Sequence, residues 1–159
     1  YLLDSDNIIT KETLNAIFAI PEWNTKIMYN PEWLMPDFNF TKWSGLTLTK
    51  ENVADYTNTD LMTSLNANNM FFNREQYLKI WDGSVNPGSS DSIYLSYCWL
   101  KAGNSIHITP NLRYFHTLHE DKSNHFSQNQ YKFVGFHNRL MEKIKQLPNQ
   151  TQVVLDGNK

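Results

Sequence analysis

Near the start of the chain, "YLLDSDNIIT" runs three apolar residues into Asp4-Ser5-Asp6. Two carboxylates at i and i+2 on an extended segment point to opposite faces, but a tight turn through Ser5 brings both toward one cation. Oxygen ligands of this kind suit Mg²⁺ or Mn²⁺, hard ions that keep waters and commonly bridge a protein carboxylate to a substrate diphosphate. The same pair serves equally well as an Asx turn, in which Asp4 and Asp6 accept backbone N–H bonds and launch a helix. Further on, Asp91 closes a Gly/Ser-rich loop, and His116 and His119 follow an extended stretch. Acidic and imidazole groups thus recur at the ends of expected elements.

Those elements follow from local patterning. Thr10 is a candidate N-cap, and Leu14, Ile17 and Phe18 fall at helical spacing until Pro21. Residues 26–29 suit a short strand, and the Trp/Pro/Asn-rich stretch from Asn30 to Ser44 suits an ordered loop. Thr49 is placed to cap a short helix through Tyr56; a strand is expected around Met70 to Phe72, then a helix carrying Tyr77, Ile80 and Trp81. "GSVNPGSSDS" is the strongest loop signal, and it delivers Asp91 to the start of a helix. In that helix Ile93, Leu95, Cys98, Trp99 and Ala102 form the expected apolar face, closed by Gly103. "SIHIT" alternates like a strand, Pro110 interrupts it, and "LRYFH" resumes the extended pattern up to His116. Residues 119–130 are polar; Phe133, Phe136, Leu140, Ile144 and Leu147 then predict an amphipathic helix over about 130–147, stopped by Pro148, with 149–159 as a tail. The order is mixed α/β in one domain, residues 1–148.

Composition narrows the classes. A chain of 159 residues with 40% hydrophobic content buries one sizeable core. A net charge of −2 leaves no electrostatic footprint for nucleic acid, and no apolar run approaches the length of a membrane span. The single cysteine, Cys98, rules out an internal disulfide framework and fits a reducing, cytoplasmic setting. Asn39-Phe40-Thr41 and Asn149-Gln150-Thr151 match the glycosylation sequon, a chance expectation in so Asn-rich a chain.

Taken in order, the apolar strand with Asp-x-Asp, the Gly/Ser loop with Asp91 at a helix start, Gly103, a strand, Pro110 and His116 resemble the GT-A glycosyltransferases, most closely their family-2-like group. "YLLDSDNIITKETL" is similar to the family's Asp-x-Asp strand and the helix after it, and "WDGSVNPGSSDSIYLSYCWLKAGNSIHITPNLRYFH" to its acidic catalytic segment, helix, Gly turn and strand. The resemblance spans roughly residues 1–120 and implies a mixed-sheet GT-A fold, begun here at the Asp-x-Asp strand, so that the nucleotide-binding βαβ half is expected to be missing upstream. It implies that Asp6 ligates a Mn²⁺ or Mg²⁺ ion bridging the phosphates of a UDP- or GDP-sugar, with Asp4 on the donor ribose or on the metal through water. His116 closes the metal shell, with His119 as its substitute, and Asp91 is the base that deprotonates a carbohydrate or other hydroxyl acceptor in an inverting displacement. Asn69, Trp81 and Ser90 are the candidate acceptor contacts. Where relatives carry Glu-Asp, this chain has Ser90-Asp91, and Tyr97, Cys98 and Trp99 replace a basic residue of the following helix.

Each residue also has a plainer role. Asp91 stands where a helix cap stands, a histidine in a polar loop is commonly just solvated, and Trp43 and Trp81 suit a core as well as a sugar face. Asn68 and Asn69 are equally turn residues. Two other functions fit the opening. In a haloacid-dehalogenase-like phosphatase Asp4 would be the nucleophile and Asp6 the acid/base, around Mg²⁺. A non-catalytic module would keep the fold without the chemistry.

Overall fold

A computed structural model of the chain describes residues 8–66, 70–116 and 125–149, with side chains excepted at 89 and 125–133. The elements in chain order are α1 (Lys11–Phe18), β1 (Ile27–Met35), β2 (Phe38–Asn39), β3 (Thr47–Leu48), α2 (Leu61–Ser64), α3 (Arg74–Ile80), α4 (Asp91–Lys101), β4 (Ser105–Phe115) and α5 (His125–Lys145). The four strands form one mixed sheet in the order β2-β1-β4-β3. β1 and β4 run parallel at its centre, and the outer strands are antiparallel to their neighbours. The class is α/β, as the sequence predicts.

β1 is nine residues long and continues through the stretch expected to be a loop. Met28, Tyr29, Asn30, Pro31 and Glu32 are buried in succession, the mark of a central strand covered on both faces. Pro31 is tolerated because the ladder breaks there in any case. Pro31 pairs with Thr109 and Trp33 with Arg113, so Glu32 alone faces Pro110, Asn111 and Leu112 in a bulge of β4. The same bulge absorbs Pro110, which makes Ser105 to Phe115 one strand where two were expected. Asn111 takes the left-handed conformation (φ 61°) that lets the chain bend at this point.

Adjacent β1 side chains point to opposite faces and into two cores. Met28 joins the large one, with Leu48, Ile93, Trp99, Leu100, Ile106, Ile108, Leu140 and Ile144. Tyr29 joins Ala16, Ile17, Phe71 and Leu112 beneath α1.

Several local expectations shift. Thr10 caps α1 in a reciprocal capping box with Thr13, but the buried stripe is Thr13, Ala16 and Ile17. Leu14 and Phe18 are exposed, because the Thr13 hydroxyl bonds the Arg113 carbonyl and turns the small-residue face to the sheet. The expected strand at Met70 to Phe72 shrinks to a single bridge, Phe71 to Tyr29, since Asn73 already caps α3. Thr49 precedes turns and a 3₁₀ segment, Val53–Tyr56. α4 is buried nearly all round because it is packed between the sheet and α5; only its end residues Asp91 and Lys101 are exposed, and Cys98 is half-buried. α5 begins at His125 and ends at Lys145, earlier at both ends than expected, and Leu147–Asn149 form a 3₁₀ turn. Among the described residues no helix is long and apolar enough to cross a membrane.

Candidate functional site

Asp91 is the first residue of α4 and exposed, and its Oδ1 accepts the Ser92 N–H at 2.8 Å. Ser90 occupies the N-cap position and is buried, with no side-chain cap bond to the helix. At the other end of α4, Gly103 (φ 76°) allows a close reversal. Asn104 N–H donates to Trp99 O and Gly103 N–H to Leu100 O, the paired bonds of a Schellman motif. The chain then enters β4 directly from this turn.

The far end of β4 leads into His116. Its backbone N–H donates to Met35 O at 2.8 Å, and its ring lies 5.8 Å from that of Phe38 and 6.5 Å from that of Tyr114. Nδ1 is buried without a hydrogen-bond partner, 3.9 Å from Asp37 Oδ2 in the turn between β1 and β2. One residue earlier, Phe115 exchanges both backbone bonds with Ile8, N–H to O at 3.1 Å each way. The first described residue of the chain is therefore fastened beside His116. A cavity of about 580 Å³ opens at this junction, lined by Thr10, Glu12, Asn15, Asn111, Arg113 and Phe115 among others.

Next to it lies an ion pair that sequence reasoning missed. Arg113 Nε and Nη2 donate to Glu32 Oε1 at 2.9 and 2.8 Å, and Ser44 Oγ donates to Glu32 Oε2 at 2.7 Å. The Glu32 side chain is 4% exposed, and the guanidinium stacks 5.5 Å from the centre of the Trp33 ring. The only local signal was a charged residue inside the otherwise uncharged run "MYNPEWLM".

The remaining candidates are placed differently. Trp81 is half-buried in an aromatic stack, 5.4 Å from Tyr77 and 5.3 Å from Tyr94. Trp43 donates to Asp60 Oδ1 at 3.1 Å and packs edge-on to Tyr56. Asp4, Asp6, Asn68, Asn69 and His119 lie outside the described residues. Cys98 lines a separate cavity of about 570 Å³, and burial pushes its thiol up, which works against the thiolate a nucleophile needs. Among the described residues no three His, Cys, Asp or Glu side chains gather closely enough to hold a metal ion. Compared with family models, curated proteins and solved structures, the chain finds no match.

Proposed function

We propose that the chain is the metal- and acceptor-binding part of a GT-A glycosyltransferase, which moves a sugar from a nucleoside-diphosphate donor to an acceptor hydroxyl. One observation carries the reading: the Ile8–Phe115 bridge joins the segment that follows the acidic pair to the strand that ends in His116. Asp6 is two residues from Ile8 in the sequence. The four-stranded mixed sheet is compatible with such a fold.

In this reading Asp6 and His116 hold Mn²⁺ or Mg²⁺, with Asp4 assisting. The buried Nδ1 of His116 stands beside the Asp37 carboxylate, the kind of group that orients a metal-binding imidazole. When bound, the cation supplies Lewis-acid stabilisation of the departing diphosphate. Asp91, exposed at the head of α4, accepts the proton of the attacking acceptor hydroxyl. The single cysteine supports a reducing, cytoplasmic setting within the same proposal.

The test is an NMR titration with Mn²⁺ that follows the histidine ring signals in wild type and in Asp6→Ala. His116 is expected to broaden first, and the effect to vanish in the variant. If His116 and His119 stay indifferent to Asp6 even with UDP or GDP present, the shared-cation site is wrong and the phosphatase and non-catalytic readings take its place.

A further inference from the structure

We propose that Asp37 is a positioning residue for His116: it holds the proton on Nδ1 and so leaves Nε2 as the free, outward-facing nitrogen. The role of Nε2 as a metal ligand rests on the function proposed above; the proton placement does not.

Three observations converge on this pair. His116 Nδ1 is buried and has no hydrogen-bond partner, while the side chain as a whole is 25% exposed, so the open part of the ring is not Nδ1. A buried polar nitrogen without a partner is costly, and such groups in native proteins find one. The carboxylate of Asp37 stands 3.9 Å away and is itself 30% exposed, free to swing. That distance exceeds a charge-assisted hydrogen bond by about 1 Å, a gap that a small side-chain rotation closes. The backbone holds the two in register. His116 N–H is bonded to Met35 O, and Met35 leads through Pro36 directly into Asp37, with Phe38 against the imidazole on the far side of the turn.

A carboxylate that accepts from one ring nitrogen fixes the tautomer, restrains the ring and raises the basicity of the other nitrogen. The β1–β2 hairpin thereby acquires a purpose that its two-residue second strand does not explain. It carries an acid to the histidine at the end of β4.

The experiment reads the tautomer directly, by two-bond ¹H–¹⁵N correlation of the histidine rings in the metal-free chain, well above the usual imidazole pKa of about 6.5. His116 is assigned by its loss in His116→Gln. Expected is a proton on Nδ1 in wild type, conversion to the Nε2–H form usual for free histidine in Asp37→Ala, and recovery in Asp37→Glu. The remaining histidine signals report whether each variant keeps the fold, and Asp37→Asn, close in shape, is the second variant should Asp37→Ala disturb the turn. An Nε2–H tautomer in wild type, or one indifferent to Asp37, overturns the proposal. The Mn²⁺ concentration that broadens His116 is then expected to rise about 10- to 100-fold in Asp37→Ala. If the tautomer follows Asp37 but Mn²⁺ never touches His116, the positioning role stands and the metal reading falls.

Discussion

Ile8 and Phe115 exchange both of their backbone hydrogen bonds, each 3.1 Å long, so that the first described residue of the chain is locked to the end of the central strand β4. The Ile8 side chain is 59% exposed and contributes little packing. The junction is held by main-chain groups, and its effect is separable from that of the side chain.

Ile8→Pro removes the donor of one of these bonds, and Ile8→Ala leaves both intact. Under the proposed function, the Mn²⁺ response of His116 weakens in Ile8→Pro and persists in Ile8→Ala, with the denaturation midpoint of both near wild type. Equal Mn²⁺ responses in the two variants would show that the bridge does not bring the acidic pair to the histidine.

The Glu32–Arg113 pair predicts unequal single-variant costs. Arg113→Met leaves Glu32 charged and 4% exposed, and is expected to cost about 3 kcal/mol. Glu32→Gln leaves a guanidinium that is 38% exposed and can reach water, and is expected to cost only about 1 kcal/mol. Urea denaturation of both, and of Arg113→Met with Glu32→Leu, checks the order; the double variant should recover much of the loss.

Gly103 tests the turn that leads from α4 into β4. Its φ is 76°, and a Cβ built there meets nothing within 4 Å. The penalty for Gly103→Ala is therefore conformational alone, about 1 kcal/mol, and Gly103→Asn should cost less because Asn tolerates the left-handed region. A much larger loss in thermal denaturation would mean a steric cause instead.

Acid should weaken the fold through His107 and His137, whose pKa values burial pushes below the ordinary 6.5. The folded state favours the neutral imidazole. The unfolded chain thus binds protons at higher pH than the native one, and stability rises with pH in that interval. The contribution is complete above the unfolded value, and is lost as pH falls from about 6.5 toward the lower folded values. His107, whose Nδ1 lies 2.9 Å from the Thr47 hydroxyl, is the simpler probe. Urea midpoints between pH 7.5 and 5 should fall less steeply in His107→Gln than in wild type.

The sequence by itself determined what depends on neighbours three to five residues away. The Thr10 cap, the start of α4 at Asp91 and its stop at Gly103 are set by local bonds and backbone preferences, and each appears where the residues predict it. The mixed α/β class was legible for the same reason. Apolar periodicity fixes the type of a long segment, but it does not say which groups outside the segment will cover it. Tertiary structure decided that Leu14 and Phe18 face outward, and that Asn30 to Met35 belong to a central strand. Pro31 argued for a loop until the β4 bulge supplied a place where its missing N–H costs nothing. The same holds for the site. Asp91 and His116 were candidates by sequence position and stand at element ends in the fold, whereas Glu32, Arg113 and Asp37 gained their contacts only when parallel pairing of β1 with β4 set them together. Glu32 and Arg113 are 81 residues apart in the chain, and no local pattern encodes which distant carboxylate will meet which guanidinium. Pairing across the sheet is fixed by burial of the whole surface, and the polar contacts at its rim follow from that register.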